Sequence, residues 1–496
     1  MKKLILLSGF ILVSVLLAAQ AGTAKTRMII MADMGNEPDE EQQMIHMLMC
    51  SNEFDLEGLI AVTGKYLQPA HPEPYRQVLH PELFHKLING YEIVYPNLLK
   101  HSAAYPEPDY LRSIVARGQK GYGIDDSGEG KSSEGSLLIE QALDKNDSSP
   151  IYVVVNAGSN TLAQALKDYE RKHSKDELRA AVAKLRIYEN GAQDNSGAWI
   201  CHEYPEIHWF RSRSQAYCYG GPGFNGDSES LNNGPHTWQP YVYSELGQHQ
   251  WALEHIMMAH GALGVLYPLR SYKVGELAYI EGGGTVPWLC LVNPGLSDIN
   301  SPWWGGWSGR STREKVKNYG SNHESVRVDE KAFEPFFTYG EETDTWENPD
   351  NGQSYEGMFV PVWRWRQAFF NDFMCRMDWC IQAFEEANHH PVAVVNGDRS
   401  DEIIFKDVKV GKKLILDAKG SSDPDGDILE FRWWYYQEAG TYKGTPIITS
   451  SGGKNTAIEI PEDAAGKEIH IILEVKDMNE LGSLWDYRRV VIYVKP

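Results

Sequence analysis

Residues 28–49 read MIIMADMGNEPDEEQQMIHMLM. An apolar run, MIIMA (28–32), ends at Asp33; Gly35-Asn36, Glu37 and Pro38 follow, then three consecutive acids, then Met44, Ile45, Met47 and Leu48 at helical spacing. The pattern predicts a buried strand, a tight turn, and a helix opened by Pro38 with Asp39, Glu40 and Glu41 in its first turn. Acids in a first turn favour the helix dipole by about 0.3–1 kcal/mol each, which accounts for Glu40 or Glu41. It does not account for Asp33, which stands at the carboxyl end of the strand, where open α/β sheets bind ligands. Carboxylates gathered there from two sides of one turn suit a hard cation such as Ca²⁺, which takes oxygen ligands at about 2.3–2.6 Å.

Outward from this stretch, short apolar runs alternate with helical patterns to about residue 310. GLIAV (58–62), IYVVV (151–155) and LRIYE (185–189) read as strands, and SLLIEQALDK (136–145) and TLAQALKDYERK (161–172) as helices. The alternation predicts an α/β fold, a mostly parallel Rossmann-like sheet with helices on both faces, over residues 26–388. Segments 102–134 and 218–240, rich in Gly, Ser, Pro and Asn, read as long loops. Residues 362–387 read as one long helix, broken by His389-His390-Pro391. After about residue 390 the period shortens to alternating strands between turn clusters, which predicts an all-β, immunoglobulin-like sandwich over 391–496.

Lys2 and Lys3, the apolar run Leu4 to Leu17 and Ala19-Gln20-Ala21 read as a secretory signal, residues 1–21, so a secreted or periplasmic location is expected. The formal net charge of −21 repels nucleic acid and anionic lipid, and leaves a neutral glycan as the expected class of partner. Fifteen Trp and 26 Tyr supply aromatic surface for either core or sugar stacking. The six cysteines show no zinc spacing; export permits Cys201–Cys218 or Cys375–Cys380 to pair, which spacing does not decide.

The acidic turn resembles the D-x-D-x-G-x-D-D signature of nucleoside hydrolases. DMGNEPDE (33–40) with NEFDLEGLIAVT (52–63) is more similar to secreted bacterial cellulose-binding proteins that carry a nucleoside-hydrolase-like domain. VVNAGSNTLAQAL (154–166), AQDNSGAWI (192–200), NPGLSDINSPWWGGWSGR (293–310) and DAKGSSDPDGDILEFRWWYYQEAGTY (417–442) extend the resemblance over nearly the whole chain after the signal.

In nucleoside hydrolases, Ca²⁺ holds the attacking water and two sugar hydroxyls, and an aspartate takes the water's proton. The resemblance therefore implies a hydrolase of N-glycosyl or glycosidic bonds acting on a carbohydrate or nucleoside, with Asp33 and Asp39 as catalytic acids. Metal ligands would come from Asp33, Asp39, Glu40 and the backbone carbonyl of Asn156. Sugar contacts would come from Asn36, Asn160, Asp194 and Trp304. Asn160 caps its helix or touches a hydroxyl; Trp303, Trp304 and Trp307 form a sugar platform or pack between domains. The acid for the leaving group is expected among His202, His208, His236 and Asp194, in loops above the site.

Two positions depart from the pattern. Gly35 stands where the family has its middle aspartate, with Asn36 or Glu37 near enough to compensate. Gly284 stands where close relatives carry a last acid, and Glu281 replaces it only if the loop folds differently. These losses support the alternative of a non-catalytic carbohydrate-binding protein on the same fold. Asp423, Asp425 and Asp427 read as an Asx-rich turn or a Ca²⁺ loop.

Overall fold

The computed structural model describes residues 25–212, 214–219, 248–269, 280–316, 329–349, 352 and 354–496. The expected signal, His236 and nearly all of the expected loop 218–240 lie outside them. The chain begins β1 (Arg27–Ala32), α1 (Asp39–Met49), β2 (Asp55–Ala61), α2 (Pro81–His101), α3 (Pro108–Ser113), β3 (Val115–Arg117) and α4 (Glu134–Asp144). It continues β4 (Ile151–Val155), α5 (Asn160–Lys172), α6 (Lys175–Lys184), β5 (Leu185–Asn190), α7 (Ser196–Glu203) and β6 (His208–Ser212). Next come α8 (Gln248–Ala252), α9 (Gly261–Leu266), β7 (Ser311–Val316), β8 (Phe336–Glu341), β9 (Asp344–Glu347), β10 (Ser354–Gly357), α10 (Val360–Trp363) and α11 (Arg366–Asp378). The last strands are β11 (Ile404–Lys409), β12 (Lys413–Asp417), β13 (Leu429–Tyr435), β14 (Ile447–Thr449), β15 (Asn455–Glu459), β16 (Glu468–Asp477) and β17 (Trp485–Lys495).

Eight strands form one sheet in the order β3-β2-β1-β4-β5-β6-β8-β7, parallel except for the edge strand β7. β1 is buried along its whole length because both faces are covered, and its side chains alternate between two cores. Met28 and Ile30 pack with α1, α2 and α11, while Ile29 and Met31 pack with α4, α5 and α6. Each such side chain taken out of water contributes roughly 1.5–3 kcal/mol. Among the described residues no helix is long and apolar enough to cross a membrane.

The C-terminal region is all-β. A four-stranded sheet, β11-β17-β16-β13, faces a three-stranded one, β12-β15-β14, over a core that includes Phe431, Trp433, Ile458, Ile471 and Val490. Its pairings are antiparallel except β11 with β17.

Several local expectations change. The helix expected over 362–387 is two helices ending at Asp378, before a short turn at Phe384–Glu386. Its apolar face is broad because α11 is buried on nearly all sides. The stretch 102–134 holds α3 and β3, the sheet's edge strand, and so is not one loop. All six cysteines are free thiols, so neither expected pair forms.

A buried polar cluster holds α11 to α1. Asp372 Oδ1 accepts from Arg376 Nε at 2.8 Å and faces His390 Nε2 at 2.8 Å, while Cys50 Sγ donates to Oδ2 at 3.6 Å. Against the upward push of burial, Arg376, His390 and His46 hold the Asp372 carboxyl well below the usual range. Asp372→Ala removes the buried one of two carboxylates paired with Arg376, Glu53 at 2.8 Å remaining, and a loss of about 3 kcal/mol is expected in urea unfolding; a loss under about 1 kcal/mol would contradict the assigned role.

Candidate functional site

Neighbouring strands β1 and β4 mark the point where the strand order reverses, and the chain leaves them in opposite directions. A crevice opens at their carboxyl ends, the place where open α/β sheets bind ligands. Asp33 ends β1 and Asn156 ends β4; Thr63 follows β2, and Asn190 ends β5. Each puts a polar side chain on the same rim.

The turn after β1 is closed by Asn36 N donating to Asp33 O at 3.0 Å. Gly35 sits at φ +88°, and a Cβ there would press on Tyr75 Oη at 2.9 Å and His80 Cδ2 at 3.0 Å. The position matched to the family's middle aspartate thus faces the stacked Tyr75–His80 wall. Gly284 has a different cause: a Cβ would come within 2.4 Å of Asn156 Nδ2. The Asn156 amide fills the space next to position 284, donating to Glu40 Oε2 and Gly284 O at 3.4 Å each.

The segment bearing Glu281 is bent inward by three ties. Gln42 Oε1 accepts from the backbone N–H groups of Glu281 and Gly282 at 2.9 and 2.8 Å, Asn190 Nδ2 donates to Gly283 O at 3.1 Å, and Asn156 holds Gly284. The outcome is a set of carboxylate oxygens from Glu37, Asp39 and Glu281 lying within 4.8 Å of one another. Glu281 thus stands beside Glu37 and Asp39.

Asp33 and Glu40 sit deeper. Burial first, and then Glu37, pushes the Asp33 carboxyl up to about 7, although the Asn36 side chain hydrogen-bonds it. Burial, Asp39 and Asp33 together raise Glu40 well above the usual range. Five buried acceptors along this rim have no protein donor among the described residues: Asp33 Oδ2, Asn36 Oδ1, Asn156 Oδ1, Asn160 Oδ1 and Asn190 Oδ1. Buried acceptors are rarely left unpaired, so a concentration of them, all oxygen, suits a cation or a hydroxyl-rich ligand. Oxygens within 4.8 Å of one another are compatible with one shared Ca²⁺ at about 2.3–2.6 Å from each.

The other expected residues divide. The Asn156 carbonyl already accepts from Gln193 Nε2 at 3.1 Å. Asp194 accepts from Asn160 N at 3.2 Å and from Ser196 N at 2.8 Å, and so pins the first turns of both α5 and α7; burial raises its carboxyl to about 6. Asn160 does not cap α5; its Nδ2 donates to Gly121 O at 2.9 Å and Thr63 Oγ1 at 3.3 Å. Trp304 is 5% exposed, its ring against His470 and Phe405 of the β region, and Trp307 packs on Phe369 and Tyr487. Both indoles join the two regions and are not part of the crevice. His202 and His208 are not above the crevice. His208 begins β6 and His202 lies in the last turn of α7, both at the amino edge of the sheet. Gln42, Asn190, Gln193 and Thr63 escaped the sequence reading; for Asn190, Gln193 and Thr63 the signal was a polar residue at or soon after the end of a parallel strand, whereas Gln42 lies inside α1.

Comparison with known proteins places these features. Residues 27–311 match the family described as cellulose-binding Sde182, nucleoside hydrolase-like domain. Residues 413–494 match the C-terminal domain of cellulose-binding protein Sde0182. The chain belongs to this cellulose-binding, nucleoside-hydrolase-like family. Among solved structures it is similar to a nucleoside hydrolase-related hypothetical protein from Saccharophagus degradans that is associated with carbohydrate metabolism. The identity is 35%, over 95% of this chain and 100% of that one, with a TM-score of 0.78. A comparison with curated proteins finds no match.

The raised acids set the sign of a pH effect. A carboxyl whose folded pKa lies above its unfolded value binds its proton more tightly when folded, so stability falls as pH rises between the two values. For Asp33 that window runs from about 4 to about 7. In cation-free buffer Asp33→Asn should melt above the native chain at pH 8, with the gap closing towards pH 4. A gap unchanged with pH would remove the assignment.

Proposed function

We propose that the crevice between β1 and β4 binds a carbohydrate with Ca²⁺ and hydrolyses a glycosyl bond there, of N-glycosyl or glycosidic type. The observation that carries this reading is the buried Asp33 Oδ2, without a protein donor among the described residues and beside the acidic group of Glu37, Asp39 and Glu281. Glu37, Asp39 and Glu281 would hold the ion, with Glu40 and Asn156 behind them. When bound, Ca²⁺ supplies a positive centre that lowers the pKa of an attached water. Asp33 Oδ2, buried and without a protein donor among the described residues, would take a proton as general base. The surrounding carboxylates favour positive charge developing on a sugar ring. The amide oxygens of Asn36, Asn156, Asn160 and Asn190 are placed to accept from hydroxyls. Action outside the cytoplasm, after removal of residues 1–21, belongs to the same proposal.

A second reading, carbohydrate binding without turnover, has its own support. A side chain at 284 would have to displace the Asn156 amide, and Asp194 accepts from two backbone N–H groups. The histidines suggested for the leaving group, where described, stand at the other edge of the sheet. The family's cellulose-binding description agrees with this reading too.

Calorimetry and a turnover assay separate the two. Ca²⁺ should bind the full chain, Glu281→Gln should weaken it about tenfold or more, and affinity should fall as pH drops below 7 because protons compete for the same oxygens. Sugar release from a panel of nucleosides and plant-wall oligosaccharides should drop about 10²–10⁴-fold in Asp33→Asn. Equal turnover in the variant removes the role given to Asp33. Ligand binding with no turnover in the native chain selects the second reading.

A further inference from the structure

A second groove lies away from the crevice, on the seam between the α/β and β regions. Antiparallel pairing sets Arg432 opposite Glu474 and Glu430 opposite Lys476 across β13 and β16, and Lys476 opposite Trp485 and Glu474 opposite Tyr487 across β16 and β17. Because side chains alternate along a strand, these residues and Trp434 share one face. The other face carries Phe431, Trp433, Leu473 and Val475 into the sandwich core. The first face lies outside the sandwich core, with Trp346 of β9 beside it. It meets the segment around α10, and the two surfaces enclose a groove of about 140 Å³. One water needs only about 10–15 Å³ by the same measure, so this is space on the scale of a ligand and not a packing flaw.

The lining has a defined chemistry. Trp346, Trp363, Trp434 and Trp485 are all half-buried and line the groove. Trp434 Nε1 donates to Glu474 Oε1 at 2.9 Å, which fixes that ring, and Lys476 Nζ lies 5.0 Å over the ring of Trp485. Arg364 is held 4.7 Å over Trp434 and paired with buried Asp344 at 3.3 Å. The rim charges come in opposed couples, Arg432 with Glu474 at 3.5 Å and Glu430 across from Lys476. Such a rim offers donors and acceptors for hydroxyls with little net charge. Arg364 covers one face of Trp434 and Lys476 one face of Trp485. The remaining indole surface, with polar groups at its edges, suits a ligand that is apolar on its ring faces and polar at its circumference. A polyanion is disfavoured by the net charge of −21.

We propose that this groove binds a neutral polysaccharide chain, as a site separate from the crevice and sharing no residue with it. The proposal rests on the carbohydrate reading above, yet it does not need the crevice to hold metal or to turn over. The probes are cellohexaose, xylohexaose and mannohexaose, titrated into the full chain by tryptophan fluorescence and by calorimetry. At least one should bind, and Trp485→Ala should weaken it about tenfold or more, as truncating a central aromatic contact does. Glu430→Gln, an exposed change that leaves packing intact, should weaken it about two- to fivefold. Both variants should keep the native Ca²⁺ response, and Asp33→Asn should bind the hexaose within twofold of the native chain. Binding of none of the three sugars, or unchanged binding in both groove variants, overturns the proposal. Loss of hexaose affinity in Asp33→Asn alone assigns the sugar to the crevice instead. Absence of Ca²⁺ binding together with weakened groove variants overturns the crevice reading and leaves this one standing.

Discussion

The reversal of strand order between β1 and β4 is the constraint on which the site depends. Two adjacent parallel strands whose connections depart to opposite sides leave a gap at their carboxyl ends that no helix covers. Polar residues that end those strands then stay unpaired at modest cost, because a ligand or solvent completes their hydrogen bonds. Asp33, Asn156 and Asn190 all stand on that gap, while the strands below them are close to continuously apolar and covered on both faces. A single topological feature thus separates a rigid floor from a polar rim.

On that rim each of the two glycines that depart from the acidic signature sits against another side chain. Gly35 takes a left-handed turn beside Tyr75 and His80, and Gly284 yields its space to the Asn156 amide. Glu281 enters because Gln42 and Asn190 hold its segment against α1 and β5. Acidic residues therefore still converge, although from other positions in the chain. The deeper carboxyls are driven towards their protonated forms by desolvation first, then Asp33 by Glu37 and Glu40 by Asp39 and Asp33, as functional pockets often arrange.

The β region is joined to the α/β region through buried contacts. Arg489 donates to Leu296 O and Gly305 O at 2.7 and 3.0 Å, and Tyr436 Oη donates to Asp344 Oδ2 at 2.6 Å. Tyr436 and Tyr487 share a core with α11 and Trp307. Such a seam positions one face of β13, β16 and β17 against α10, and makes the tryptophan-lined groove a property of the two regions together.

Much of the architecture was legible in the sequence. Short, continuously apolar runs alternating with helical stripes determined a parallel α/β sheet, and MIIMA followed by Asp33 determined where its ligand edge would lie. The change of period after residue 390 marked the β region. Local chemistry decides such features, because burial of one face or two leaves its period in the chain. What tertiary structure alone decided was which side chains meet. Trp304 looked free among glycines and proved to be interior, since its neighbours His470 and Phe405 come from a region about a hundred or more residues away in the chain. His202 and His208 followed the right strand and helix but at the wrong ends, because nothing local states which edge of the sheet a connection reaches. Glu281 joined Glu37 and Asp39 through hydrogen bonds to residues roughly 90–240 positions distant in sequence. A sequence records the burial each residue needs; the partner that supplies it is chosen only when distant segments pack.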